Sequence, residues 1–176
     1  FFLMGAMTIV EIVDSNGGFN FVRDTLKTRS KRKLMWRMAF MTFFLSAILD
    51  NLTTSIVMIM VLRKLVQSRN DRLIYAALVV ISANSGGAFS PIGDVTTIML
   101  WIKGVITTQG VLTEIFIPSL ISMLVPAFIL QYQLEGKFDK EQNLPKADVS
   151  TFTKSQRDII FWLGVGGLCF VPIFKT

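Results

Sequence analysis

Apolar runs alternate with short polar and basic segments along this chain, and polar clusters interrupt two of the runs near their middle. Residues 38–62 carry the first cluster, and residues 73–104 carry the second. Residues 115–134 and 159–174 are also apolar, whereas the run at 1–13 is too short to cross a bilayer alone. Apolar runs of this length predict an all-α integral membrane protein.

Each polar cluster combines a carboxylate with amide and hydroxyl side chains. The first cluster contains Ser46, Asp50, Asn51, Thr53 and Thr54, and the second contains Asn84, Ser90, Asp94, Thr96 and Thr97. A carboxylate near the middle of a bilayer costs at least about 2.5–3.5 kcal/mol, and such residues usually mark a path for ions or protons. The two clusters therefore indicate a transport site.

Basic residues flank the first interrupted run on both sides, at 23–37 and 63–72. A single crossing would place these two segments on opposite faces of the membrane, against the positive-inside rule. We therefore predict a re-entrant hairpin at about 36–64, with its turn at Asp50 and Asn51. Each arm would have about a dozen residues, enough to reach halfway through the bilayer. Both basic segments would then be cytoplasmic.

The second interrupted run contains several residues that disfavour a continuous helix. They are Gly86, Gly87, Pro91 and Gly93. We predict a broken helix at about 73–104, with half-helices at Leu73–Ala83 and Val95–Trp101. Irregular backbone at this depth is tolerated only where it contacts protein or lines a wet cavity. An outer loop at 104–113 and a returning helix at about 114–134 complete the prediction.

Residues 1–135 are accordingly predicted to form one transporter repeat. A cytoplasmic connector at 136–157 follows, and residues 158–176 begin another transmembrane segment. The chain starts inside one apolar run and stops just after another. We interpret it as a fragment of a longer, multi-pass membrane protein.

Composition supports this class and excludes several others. The chain has 176 residues, of which 52% are hydrophobic, and a net charge of +6. The positive charge lies in segments between apolar runs without a nucleic-acid-binding motif, so we expect a lipid bilayer as partner and no nucleic acid. The chain has no histidine, which excludes the usual His-based triads and zinc sites. We expect no cofactor.

The oxygen donors in the two clusters suit alkali cations, which need hard ligands to replace their water. A broken helix adds freed backbone carbonyls and directs helix-end dipoles at the bound ion. A simpler interpretation is also open, in which Asp50 or Asn51 caps the second hairpin arm and Asp94 caps the second half-helix. One residue can do both. Glu11, a third acid, fits a proton path or a solvated position equally well.

In three stretches, the sequence resembles the NhaD-type sodium/proton antiporters of the ion transporter superfamily, which also includes arsenite and dicarboxylate carriers. These stretches are Gly5–Glu11, Phe44–Thr54 and Ser90–Thr97. The resemblance implies a fold with two inverted repeats, each containing a re-entrant hairpin and a broken helix. This chain would hold about one repeat, without the C-terminal half, and the full-length protein would be a homodimer.

The resemblance also implies specific roles for the polar residues. Residues expected to bind Na⁺, Li⁺ or protons are Asp50, Asn51, Asp94, Thr96 and Thr97, with the Na⁺ ion at Asp50 and Asp94. Residues expected to support them are Ser46, Thr53, Thr54, Asn84, Ser90 and Glu11. Cation and proton would compete for buried aspartates, so that Na⁺ or Li⁺ is exchanged for H⁺. The membrane would be a bacterial inner membrane or an organellar envelope such as that of plastids.

Two alternatives to a cation antiporter remain open. An anion, organic-acid or arsenite permease of the same fold would favour neutral residues at both tips, since acids repel an anionic substrate. An intramembrane aspartyl protease also needs two aspartates, but its Gly-x-Gly-Asp and Tyr-Asp motifs are replaced here by Pro91-Ile92-Gly93-Asp94 and Leu49-Asp50. We therefore predict a secondary transporter and not an enzyme.

Overall fold

A computed structural model describes residues 30–134 continuously and residues 8, 26, 28, 136, 159 and 163 singly. The continuous segment is helical and contains no strand, in agreement with the predicted all-α class. Its helices are α1 (Lys31–Ile48), α2 (Asn51–Leu65), α3 (Arg69–Ala88), α4 (Val95–Ile102), α5 (Thr108–Glu114) and α6 (Phe116–Leu130).

Helices α1 and α3 lie side by side and run in the same direction. At their first turns, the Lys31 ammonium lies 2.7 Å from the Asp71 carboxylate, and the Tyr75 hydroxyl donates to the Lys31 carbonyl oxygen at 2.7 Å. At their other ends, the Ser46 hydroxyl donates to the Ala83 carbonyl oxygen at 2.5 Å. Contacts at both ends therefore hold the two helices in register.

Helix α2 runs in the opposite direction to α1 and α3. Its first residue, Asn51, bonds Asn84 near the end of α3, and only three residues separate its last residue, Leu65, from the start of α3. Helices α1 and α2 therefore form a hairpin whose turn lies beside the end of α3. The position of this hairpin in a membrane stays a prediction.

An apolar core joins α1, α2, α3 and α6. Its fully buried side chains include Leu34, Met35, Met38, Phe43, Met58, Leu62, Leu78 and Met123. The Phe43 ring stacks on Phe89 with ring centroids 5.0 Å apart, and Phe116 of α6 packs edge-on against both rings. This aromatic cluster fixes the irregular segment after α3 against α1 and α6.

The hairpin begins earlier in the chain than predicted. Helix α1 starts at Lys31 rather than near residue 36, and the Ser30 hydroxyl caps it by accepting the Lys33 N–H at 3.5 Å. The charge of this basic segment predicts a position outside the apolar run. Lys and Arg are nevertheless good helix formers, so the helix continues through them.

The predicted end of the first half-helix at Ala83 is wrong. Helix α3 continues to Ala88 and includes Gly86 and Gly87. A Cβ on Gly86 would collide with the Phe43 carbonyl oxygen of α1, so the glycine allows the two helix backbones to approach closely. A helical glycine costs about 1 kcal/mol, but here its small size permits packing that favours the helix.

The predicted loop at 104–113 is also wrong in part, because it contains most of α5. The Thr107 hydroxyl caps this helix by accepting the Gly110 N–H at 3.1 Å, and Val111 packs into the interior. Helices α5 and α6 together form the stretch Thr108–Leu130. Of the described residues, only this stretch is both long and apolar enough to span a bilayer.

Several predictions concern parts of the chain that the structure does not describe. Glu11 lies outside the described residues, as do the connector at 136–157 and the segment at 158–176 apart from the single residues named above. The domain boundaries and the inverted-repeat arrangement stay predictions.

Candidate cation-binding site

The two polar clusters of the sequence meet at the turn of the α1–α2 hairpin. The Asn51 side-chain amide donates to Asp94 Oδ2 at 2.6 Å and to Asn84 Oδ1 at 3.0 Å. The Asn51 backbone N–H donates to the Gly93 carbonyl oxygen at 3.0 Å. Asn51 of the first cluster therefore contacts two residues of the second and the neighbouring Gly93, although 33 to 43 positions separate them in the chain.

Asp50 occupies the turn itself and caps helix α2. Its Oδ1 accepts the Thr53 N–H at 2.8 Å, while no described residue donates to Oδ2. Asp50 has a φ of 153°, the one positive φ of a non-glycine residue in the described part of the chain. Such backbone conformations cost about 1–3 kcal/mol and cluster at functional sites. Asp50 therefore caps α2 and has a strained backbone, and its Oδ2 accepts no hydrogen bond from the described residues.

Asp94 has an equivalent position at the start of α4. Its Oδ1 accepts the Thr96 N–H at 2.8 Å and also the Thr96 hydroxyl, while its Oδ2 accepts the amide of Asn51. The capping interpretation of both aspartates is thus observed. It does not exclude a second role, because each carboxylate keeps lone pairs beyond those used by the cap.

Two helix N-termini and two helix C-termini converge around these aspartates. Helices α2 and α4 begin here, and helices α1 and α3 end here. The N-terminal ends carry partial positive charge, which the two carboxylates offset, while the C-terminal ends present backbone carbonyl oxygens. The arrangement concentrates oxygen atoms in one place without placing a basic side chain among them in the described segment.

Glycine packing, which the sequence interpretation missed, brings the irregular segment close to α1 and α3. A Cβ on Gly93 would lie 2.7 Å from the Ser46 carbonyl oxygen and 2.8 Å from Gly87 Cα, and one on Gly87 would collide with the Gly93 carbonyl oxygen. From propensity alone, these glycines are helix breakers. The signal available in the sequence was the position of Gly87 just before the break and of Gly93 just after it, where two backbones can approach closely.

The predicted supporting residues mostly bond backbone rather than the aspartates. Ser46 binds the Ala83 carbonyl oxygen, and Ser90 accepts the Ile92 N–H at 3.3 Å. The Asn84 amide donates to the Val80 carbonyl oxygen at 2.8 Å, which orients its own oxygen toward Asn51. These contacts hold the helix ends in place around the carboxylates.

The four threonines of the two clusters make different contacts. Thr96 bonds Asp94, whereas Thr97 lies partly exposed in the first turn of α4. The Thr53 N–H bonds Asp50. The Thr54 hydroxyl is fully buried and has no hydrogen-bond partner within the described segment. The structure therefore joins Thr53 and Thr96 directly to the aspartates and leaves Thr54 and Thr97 beside them.

The site is open at the surface of the described segment. Asp50 and Asp94 are partly exposed, and Asn84 and Thr96 are exposed. The expectation of buried aspartates is therefore not met within residues 30–134. These residues also contain no group of three or more Cys, His, Asp or Glu side chains that could hold a metal ion. An alkali cation would instead need the hydroxyl, amide and carbonyl oxygens around the two acids.

A transporter family and several proteins named antiporters are similar to this chain. A protein family described as citrate transporter matches residues 1–174. Sodium/proton antiporter 1 of Arabidopsis thaliana is 47% identical over all 176 residues of the chain, which correspond to 30% of that protein. Sodium/proton antiporter 2 of Arabidopsis thaliana is 44% identical over the whole chain and 42% of its own length.

Bacterial proteins are also similar to the chain. The Na⁺/H⁺ antiporter NhaD of Alkalimonas amylolytica is 38% identical over 140 residues, which are 77% of this chain and 29% of that protein. The chain thus spans less than half the length of each of these curated relatives. No solved structure matches it significantly.

Proposed function

The chain belongs to the citrate transporter family, and we propose that its full-length parent exchanges Na⁺ or Li⁺ for H⁺ across a membrane. Relatives from plants and bacteria that are named sodium/proton antiporters support this choice of cargo. The family is one of transporters and not of enzymes. Because the chain covers only part of its relatives, we expect residues outside this chain to complete the site.

The observation that carries the proposal is the contact of Asn51 with Asp94 at the meeting point of four helix ends. Hard oxygen donors from two distant parts of the sequence converge there around two carboxylates. On this proposal Na⁺ binds the ionised aspartates, and protonation of the same groups releases it. Because cation and proton cannot occupy one carboxylate together, binding of one opposes the other, and the two fluxes are coupled.

Asp50→Asn and Asp94→Asn test this assignment in the full-length protein. Asparagine caps helices about as well as aspartate, so α2 and α4 should still begin at the same residues. The charge is lost, and Na⁺-dependent dequenching of a pH-sensitive dye in everted vesicles should be abolished. Asp94→Ala should in addition cost about 1 kcal/mol of stability, because it removes the cap as well.

Glu114→Gln is the matched control, because it removes an exposed carboxylate at the end of α5. It should exchange Na⁺ like the wild type. Wild-type exchange in both asparagine variants would show that the aspartates only cap their helices. Absence of exchange in the wild type itself would instead contradict the proposed activity.

An organic-anion permease is a second candidate, favoured by the family's description and by the two helix N-termini that meet at the site. Helix N-termini attract anions. Here, however, both carry a capping aspartate, which would repel an anionic substrate. Uptake of labelled citrate by the reconstituted wild type, without Na⁺/H⁺ exchange, would favour this candidate over the antiporter.

We further propose a homodimeric full-length protein in a bacterial inner membrane or a plastid envelope. The plant and bacterial origins of the relatives are compatible with either membrane. Crosslinking in native membranes tests the dimer, and localisation of a tagged full-length protein tests the compartment.

A further inference from the structure

Basic side chains gather at the end of the molecule opposite the aspartates. Helices α1 and α3 begin there and helix α2 ends there, so three segments of the chain contribute to one patch. We call the following residues the basic belt: Arg32, Lys33, Arg37, Arg63, Arg69 and Arg72. The fold brings together charges from three helix ends, which lie in two stretches of the sequence, 32–37 and 63–72.

Lys33, Arg63 and Arg69 present exposed positive charge in this belt. Asp71 is the one acidic residue among positions 31–49 and 63–80, and its carboxylate pairs with Lys31, which is outside the belt, at 2.7 Å. The N-termini of α1 and α3 add partial positive charge at the same end. The surface therefore attracts anions, and exposed charges such as Arg63 and Arg69 are accessible to them.

Exposed apolar side chains continue from the belt along the same helix faces. On α1, Phe40 is three residues beyond Arg37 and is exposed. On α2, Met60 is three residues before Arg63, and it is 51% exposed. Residues three or four apart share a helix face, so Arg37 and Arg63 each lie at the end of an exposed apolar stripe.

Helix α3 repeats this arrangement. Leu73 is four residues beyond Arg69 and is 63% exposed. A surface with cations at one edge and apolar stripes below it complements a molecule with an anionic head and hydrocarbon tails. A free phosphate or a nucleic acid would use the charges but would leave the apolar stripes exposed to water.

From this juxtaposition we propose that the basic belt binds anionic phospholipids, with the headgroup phosphate at the arginines and the acyl chains along α1, α2 and α3. Bound lipid would hold the start of α1 and the end of α2 at the membrane surface. The inference needs the chain to be a membrane protein and does not depend on which ion it carries.

Native mass spectrometry of the full-length protein tests the proposal, with phosphatidylglycerol and phosphatidylcholine of the same acyl chains as probes. The wild type should retain more phosphatidylglycerol. Arg63→Gln and Arg69→Gln should each lower the affinity for phosphatidylglycerol by roughly fivefold and leave phosphatidylcholine unaffected. Higher ionic strength should weaken the preference, because exposed charges are screened.

Lys103→Gln is the matched control, since it removes an exposed positive charge just after α4, outside the belt. It should retain phosphatidylglycerol like the wild type, and all variants should keep the wild-type thermal midpoint. Equal retention of the two lipids, or an equal loss in Lys103→Gln, would overturn the proposal. So would displacement by glycerol 3-phosphate at the affinity of the intact lipid, because the ligand would then be a soluble phosphate.

Discussion

Asn51 is the residue that connects the two polar clusters, and its amide suits this position for a physical reason. It donates one hydrogen bond to a carboxylate of Asp94 and one to the oxygen of Asn84. A carboxylate in its place would repel Asp94, and an aliphatic side chain would leave both acceptors without this donor. The amide therefore joins the hairpin to the broken helix without neutralising the acid.

Replacement of Asn51 by alanine should weaken both stability and ion binding. The loss of a hydrogen bond to a charged group costs about 1.5–3 kcal/mol, with the lower end expected here because the site is partly exposed. Thermal unfolding of the purified full-length protein should show a lower midpoint and a reduced stabilisation by Na⁺. Asn70→Ala, at an exposed position in the first turn of α3, should change neither quantity. Undiminished Na⁺ stabilisation in Asn51→Ala would remove this residue from the site.

Helices α1 and α3 depend on close backbone contact near their C-terminal ends. Gly86 faces the Phe43 carbonyl of α1, while Gly87 and Gly93 face each other across the break. The rings of Phe43 and Phe89 stack beside this contact. The length of α3 and the position of its break therefore follow from packing between helices as much as from local propensity.

Whether Gly86→Ala lowers or raises the thermal stability shows which matters more at this position, packing between helices or helix propensity. Alanine at an exposed helical position stabilises a helix by about 1 kcal/mol relative to glycine. At Gly86 the added methyl group would meet backbone atoms of Phe43, and overpacking of this kind typically costs about 1–3 kcal/mol. We expect a lower thermal midpoint for this variant of the full-length protein.

Gly110→Ala provides the comparison within α5, because an added Cβ there would meet only the Thr107 hydroxyl. The Thr107 hydroxyl would have to rotate away and weaken the cap of α5, which costs about 1 kcal/mol and offsets the gain in helix propensity, so the midpoint should change little. A midpoint for Gly86→Ala as high as that for Gly110→Ala would mean that the α1–α3 contact is looser than the structure indicates.

The described segment as a whole has a basic end and an acidic end. The belt lies where α1 and α3 begin, and the two aspartates lie where these helices end. This polarity fits the predicted topology, in which the hairpin enters and leaves by the cytoplasmic face. In such an arrangement the aspartates would be within the membrane and the arginines at its surface.

Single-cysteine labelling of the full-length protein in sealed vesicles tests this topology. Cys169 and any cysteines outside this chain are first replaced by serine. Lys33→Cys and Arg69→Cys should then react with a membrane-impermeant maleimide from the same face. Val105→Cys, exposed beyond α4, should react from the opposite face. Labelling of positions 33 and 69 from opposite faces would exclude a re-entrant hairpin.

Local patterns were sufficient to predict the class of protein and the identity of the candidate site. Long apolar runs require helices in a membrane, because only internal hydrogen bonds satisfy the backbone there. Aspartates within such runs are costly enough to indicate function on their own. The turn at Asp50 and the break before Asp94 were predicted for these reasons, together with the glycines and the proline of the second cluster.

Contacts between distant residues decided the remaining features. No local pattern indicates that Asn51 reaches Asp94 and Asn84, since that depends on the antiparallel course of α2 beside α3. Helix α3 extends through Gly86 because the absence of a side chain lets α1 approach, and a propensity scale counts only the cost of that glycine. Sequence chemistry therefore identified the two aspartates, whereas close packing of α1, α2 and α3 brought their clusters together.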